Sequence, residues 1–146
     1  SGDLRRNWLY TNPSANNKIN LIRYQRSTLA EDAHLYDKPA VPMLKLGEMY
    51  LIAAECTDDI TEAATLINTV RNVRGAVSLD VTPDNKQELI TREFAREVVG
   101  EGQLFFYYKR LGMTSIISGT SASGSASMSV DSYVIPLPSD EEDLRN

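Results

Sequence analysis

The chain has 146 residues, room for one domain with a real core, and its composition, 42% hydrophobic and 24% charged, excludes an intrinsically disordered chain. Fifteen Lys and Arg against twenty Asp and Glu leave a formal net charge of -5, and the basic residues are scattered. A nucleic-acid face, which needs clustered cations to displace counterions from phosphates, is therefore not expected, and neither is a transmembrane helix, since no apolar run approaches the ~18 residues one requires.

Ser1-Gly2, with no initiator Met, reads as an expression scar, so sequence upstream of it is expected. Residues 3 to 41 hold no sustained period. Trp8-Leu9-Tyr10 is apolar, Asn12-Pro13-Ser14 and Asn16-Asn17 are turn chemistry, and Lys18 to Gln25 alternates like a short strand, so an irregular segment with at most a hairpin is predicted. Pro39 and Pro42 then bracket the approach to a helix.

Met43 to Cys56 is apolar nearly all round, broken only by Lys45, Glu48 and Glu55 on one stripe, and is predicted to be the buried centre of the fold. Asp59-Ile60-Thr61-Glu62 has the form of a capping box: Asp59 would accept from first-turn amides and Glu62 would reach back. The helix it opens should turn Ala63, Leu66, Ile67, Val70 and Val73 inward and stop at Gly75. Thr82-Pro83-Asp84 reads as a second start, with Thr82 as N-cap and Pro83 at the first helical position, and Leu89, Ile90, Phe94 and Val98 follow on one side.

Within Arg92 to Gly112, Glu93, Glu97 and Glu101 recur every fourth residue, so on a helix three carboxylates share a stripe. Gly100 and Gly102 permit a bend or stop, and the aromatic run Phe105 to Tyr108, with Phe105, Phe106 and Tyr108 read as core, closes on Lys109-Arg110. Ser118 to Ser129, rich in Gly, Ser and Ala, is predicted to be a mobile surface loop. Tyr133 to Pro138 is predicted to be an extended tail docked on the helices. The expected architecture is mainly α, with tetratricopeptide-like helix hairpins over 42–112, an irregular segment over 1–41, and loop plus tail over 113–146, all in one domain.

The chemistry-bearing residues favour a structural reading. Cys56 is the one cysteine, which excludes an internal disulfide or a multi-cysteine metal site, and its helical setting reads as a buried thiol. His34 is also alone and reads as a surface or loop histidine. The carboxylate stripe could serve a hydrolase or a carboxylate metal site, but a di-metal bundle adds a Glu-x-x-His element that is missing. Ion pairing of Glu48, Glu93, Glu97 and Glu101 with Arg71, Arg74, Arg92, Arg96 and Arg110 is expected instead. Neither catalysis nor a metal site is expected from these residues.

Four stretches together resemble the C-terminal portion of the SusD/RagB family, surface glycan-binding lipoproteins of Bacteroidetes nutrient uptake. Pro42 to Glu55 resembles the family helix P-hydrophobic-hydrophobic-R-L-A-E-hydrophobic-Y-L-x-x-A-E. Asn68 to Gly75 resembles N-x-V-R-x-R, and Glu97 to Arg110 resembles E-F-x-F-E-G-x-R-W-F-D-L-x-R. Tyr133 to Glu141 resembles Y-x-x-P-I-P-x-x-E. Gly100, Leu104 and Tyr107 depart from the pattern, standing where an aromatic, Arg and Asp are usual. The resemblance implies a helical scaffold that captures oligosaccharide, without catalysis or cofactor, as a lid on a TonB-dependent SusC-like transporter at the outward-facing surface of the outer membrane. Family members are longer and carry an N-terminal lipid anchor absent from this chain, so a C-terminal fragment or an unusually short relative is expected. The alternative is a helix-repeat scaffold that binds a peptide in a groove lined by residues 42–75. Since sugar C–H faces stack on aromatic rings, Trp8, Tyr10 and Asn12 are the candidate sugar contacts. Asn68 reads as a hydrogen-bonding group at a helix end.

Overall fold

The computed structural model describes residues 2–12, 18–21, 44–118 and 124–134. His34, Pro39, Pro42, Asn16, Asn17 and the tail beyond Val134 lie outside those residues, as do the side chains at 10–12 and 18–20. The chain forms two compact units, Ser1–Glu101 and Gly102–Asn146.

The first unit opens with a 3-10 turn, Leu4–Trp8, capped by Asp3, whose carboxylate accepts from the Arg5 amide at 3.0 Å. It leads into β1 (Leu9–Asn12), paired antiparallel with β2 (Lys18–Leu21) in the register Leu9 to Leu21 and Asn12 to Lys18, which is the expected hairpin. Three helices follow: α1 (Leu46–Cys56), α2 (Ile60–Val73) and α3 (Lys86–Glu97). Only Thr57 to Asp59 separate α1 from α2, so the two form an antiparallel pair, and α3 packs on both. Leu51, Ala54, Ala63, Ile67, Val70, Ile90, Phe94 and Val98 are their buried core. Each fully buried Leu or Ile contributes ~1.5–3 kcal/mol.

Local chemistry sets the ends of α2. Asp59 accepts from the Thr61 and Glu62 amides at 2.8 and 3.4 Å, as expected. Glu62 reaches back to the Thr57 hydroxyl (2.5 Å), which in turn accepts the Asp59 amide, so the box closes through a residue two positions before the cap. At the other end the Ala76 amide donates to the Arg71 carbonyl and the Gly75 amide to that of Asn72, the paired bonds of a Schellman stop. Gly75 has φ 70°, and a Cβ on it would lie 2.6 Å from the Gly2 carbonyl oxygen, so glycine is required there twice over. Asn68 binds both the amide and the carbonyl of Leu79 (2.8 and 3.0 Å), pinning the α2–α3 connection. Lys86 donates to the Glu55 and Thr57 carbonyls at the end of α1, where unsatisfied carbonyls favour a cation.

In the second unit, α4 (Gln103–Leu111) starts and ends on left-handed glycines, Gly102 and Gly112. The hairpin of β3 (Ser115–Ile117) and β4 (Ser125–Ser127) follows, then a 3-10 turn at Val130–Tyr133. The buried Tyr133 donates its hydroxyl to the Met113 carbonyl at 2.6 Å and lies beside Phe105, centroids 5.8 Å apart. Burial pushes the Tyr108 hydroxyl up, and its oxygen accepts the Ile117 amide at 3.2 Å.

Several expectations need correction. α1 is not buried all round: Leu46, Met49 and Ile52 are exposed, leaving Leu51 and Ala54 inside, because its two neighbours cover only one side. Cys56 is exposed, not buried. Val73 is 69% exposed in the last turn of α2, and Phe106 is 67% exposed while Tyr107 and Tyr108 are the buried members of that run. Thr82-Pro83 does not start α3. Residues 83–85 form a turn in which the Asn85 side chain accepts the Thr82 amide (2.8 Å), and the helix begins at Lys86. Part of the expected loop is strand β4, whose small side chains give no sequence signal because the pairing is carried by backbone. Residues 119–123 lie outside those described.

Candidate functional site

The carboxylates of Glu93 and Glu97 are fully buried on α3, and the chain surrounds them with arginine. Arg5 donates from Nη2 to Glu93 at 2.9 Å and from Nη1 to Glu97 at 3.1 Å, while its Nε and Nη2 also hold Asp3. Arg71 and Arg96 both pair with Glu93 Oε1. Arg74 grips Glu97 with two bonds, Nε to Oε1 and Nη2 to Oε2, each 2.9 Å. Such a fork matches carboxylate geometry, which a lysine could not reproduce. Lys45 completes the cluster with Nζ 2.7 Å from the Glu97 carbonyl and 2.5 Å from the Glu101 carboxylate, placing a cation at the carbonyl end of α3.

The electrostatics follow from these contacts. Burial alone would raise the Glu97 carboxyl, but the Arg74 hydrogen bonds and the charges of Arg74, Arg5 and Lys45 outweigh it and hold the group below its ordinary value. The Arg5 hydrogen bonds do the same for Asp3. Desolvation would lower Arg5, yet Asp3 and Glu93 raise it above the ordinary guanidinium range, and Glu97 raises Arg74. Asp3 and Glu97 are thereby favoured as carboxylates, and Arg5 and Arg74 as guanidinium cations.

Of the expected ion-pair residues, the fold brings Glu93, Glu97, Glu101, Arg71, Arg74 and Arg96 together. Glu101 arrives by a different route from the one its spacing suggests: α3 ends at Glu97, and Glu101 lies in the following turn beside Gly100 (φ 79°). Glu48 takes no part in an ion pair among the described residues. Arg92 makes an exposed pair with Glu88 on its own helix, and Arg110 lies over the Tyr107 ring at 5.4 Å in the second unit. Arg5, Asp3 and Lys45 are the members that sequence reasoning missed. Lys45, read as part of one stripe with Glu48 and Glu55, is the buried residue preceding α1. The partners of Arg5 lie 88 and 92 residues away, beyond any local spacing rule.

Beside this cluster lies a pocket of about 510 Å³. Trp8, Leu9, Leu21, Val77 and Val99 form its apolar lining, and Asp3, Arg5, Arg6, Arg71 and Arg96 its charged one. Of the candidate sugar contacts, Trp8 thus lines a cavity; Tyr10 and Asn12 are on β1, with side chains outside the described set. Arg5 and Trp8 are three apart in a 3-10 turn, where such side chains share a face, and the Arg74 guanidinium that holds Glu97 also stands 5.7 Å over the indole. A smaller groove of about 230 Å³ between α1 and α2 is lined by Leu46, Gly47, Tyr50, Val73 and Arg74, among others.

Glu93 and Glu97 do not suit acid-base chemistry, since both carboxylates are enclosed and bonded to guanidinium, leaving no open face for a reacting atom. Among the described residues no group of His, Cys, Asp and Glu is placed to hold a metal, and no helix is long and apolar enough to cross a membrane.

In comparison with known proteins, the sequence model of the SusD family matches residues 3–137. No curated protein and no solved structure matched the chain.

Proposed function

The chain belongs to the SusD family, and on that premise we propose that it takes part in capturing oligosaccharide at the outer-membrane surface and handing it to a TonB-dependent transporter of the SusC type. Proteins of this family are non-enzymatic binding proteins, surface-exposed lipoproteins that serve nutrient uptake. In this reading the three packed helices are scaffold, and the site is the cavity beside the N-terminal turn. The observation that carries it is Trp8: an indole lining a 510 Å³ pocket offers a sugar ring an apolar face, within the usual size range of ligand sites. Tyr10 and Asn12, on the strand that continues from Trp8, extend the proposed contacts along the same segment.

Calorimetric titration against plant, host and microbial oligosaccharides, with Trp8→Ala and Tyr10→Ala alongside, tests the assignment. Binding that is lost in Trp8→Ala supports a site in this pocket. Binding that survives both substitutions places the sugar elsewhere.

A second reading, a scaffold that holds a peptide partner, is favoured by the groove between α1 and α2 and by the exposed Leu46 and Val73 at its edge. It predicts that Leu46→Asp and Val73→Asp weaken partner capture and leave sugar binding unchanged.

A further inference from the structure

Resting on the reading that Trp8 marks a sugar site, we propose that the pocket selects acidic saccharides, those whose rings carry a carboxylate or sulfate. The reason lies in which side of each ion pair the pocket meets. Four arginines line it, Arg5, Arg6, Arg71 and Arg96, against a single carboxylate, Asp3. Glu93 and Glu97, which balance three of these guanidinium groups from behind, are fully buried and do not line the cavity. One carboxylate, Glu93, serves Arg5, Arg71 and Arg96 together, so the wall facing the pocket keeps a cationic excess.

Two of the four heads are within reach of a ligand. The Arg96 side chain is 48% exposed even with its Glu93 pair, and Arg6 is exposed with no ion pair among the described residues. Guanidinium presents a planar fork of donors that fits carboxylate and sulfate alike. An anionic ring that set its C–H face against Trp8 and its charged group towards Arg6 and Arg96 would use both linings at once. A neutral sugar would leave the cationic side solvated and unused. The chain's overall charge of -5 does not oppose this, because charges beyond about 8–10 Å are screened at physiological salt and the local guanidinium groups dominate inside the cavity.

The test is calorimetric titration of the full chain with three probes: an oligogalacturonate, the same oligosaccharide with its carboxylates methyl-esterified, and a sulfated galactan oligosaccharide without carboxylates. A neutral-glycan panel runs beside them. The expected result is binding of the oligogalacturonate that weakens roughly tenfold or more on esterification, as for loss of a charge-assisted hydrogen bond. Binding should also weaken with added salt and in Arg6→Gln, a surface change that leaves the buried cluster intact. Comparable binding of the sulfated probe would assign the preference to anions in general, and its failure would restrict the preference to carboxylates. Equal binding of the esterified and free forms, indifferent to Arg6→Gln, would overturn the charge selectivity and leave sugar capture standing. Failure of every acidic and neutral glycan would overturn both.

Discussion

Arg5→Ala is the sharpest perturbation of the buried cluster. It removes donors to Asp3 at 2.8 Å, Glu93 at 2.9 Å and Glu97 at 3.1 Å. Taking one partner from a buried ion pair costs ~3–5 kcal/mol when the other is left uncompensated. Here neither glutamate is orphaned, since Glu93 keeps Arg71 and Arg96 and Glu97 keeps Arg74. The expected loss is therefore below that range, about 2–3 kcal/mol including the buried aliphatic stem. At the ~2–4 °C per kcal/mol typical of chains near this length, the thermal midpoint should fall by ~4–12 °C. Urea denaturation of Arg5→Ala, Glu97→Gln and the double variant gives the loss and the coupling between the two positions. Amide exchange at Leu4, which donates to the Arg74 carbonyl at 2.8 Å, reports whether the N-terminal turn detaches. A loss below ~0.5 kcal/mol, with Leu4 protection unchanged, would refute the reasoning, because the contacts would then be worth no more than surface pairs.

Further expectations follow from other positions. Glu97 and Asp3 are held below their ordinary values of 4.5 and 3.8, so the folded chain binds fewer protons than the unfolded one as pH falls through that range. Their contribution is complete above about pH 5 and is lost progressively on acidification below it; acid titration of stability should be shallower in Glu97→Gln. Gly75→Ala must place a Cβ at φ 70° and 2.6 Å from the Gly2 carbonyl, so a destabilisation of more than ~1–2 kcal/mol is expected by denaturation, and a neutral effect would contradict the close approach. Gly47→Ala should gain ~0.5–1 kcal/mol in helix propensity, yet its Cβ would sit 3.0 Å from Glu97 Oε2, which Arg74 holds; no net stabilisation is expected, and a full gain would show that the carboxylate yields freely. Cys56 is exposed, so a thiol reagent should label the native chain at a rate close to that of the unfolded one.

What was legible in the sequence is what local chemistry decides. Asp59 and Gly75 bound α2 because a side-chain cap and a left-handed stop act within a few residues. Thr82-Pro83 carries the same kind of signal and misleads, because Asn85 offers its own side chain to the Thr82 amide and closes a turn before the helix can start. The apolar wrap of Met43 to Cys56 says that the segment seeks cover, but not how many neighbours supply it, and so Cys56 and Ile52 were placed inside. The carboxylate period marked Glu93, Glu97 and Glu101 without indicating that the third follows a break at Gly100. Ion pairing could be expected from the surplus of nearby arginines. The identity of the partners could not, since Arg5 is joined to α3 by tertiary contact alone.

The cluster and the pocket share parts, and that sharing bears on how binding could be specified. Arg5 bonds Glu97, Glu97 bonds Arg74, and Arg74 stands over Trp8, which lies one 3-10 turn after Arg5. The contacts form a closed ring through three chain segments, the N-terminal turn, the end of α2 and the end of α3. A hydrophobic anchor could hold the N-terminal turn against the helices as firmly, since buried ion pairs often do not outperform apolar residues in stability. It would not, however, fix the rotation of that turn, because apolar contacts are non-directional whereas the Arg74–Glu97 fork and the Arg5 bonds have one good geometry. On this argument the buried charges matter less for how stable the unit is than for where Trp8 points. Arg5→Met should then separate the two roles: stability recovered relative to Arg5→Ala, with indole fluorescence and oligosaccharide binding still altered. Recovery of all three together would mean that anchoring alone sets the site.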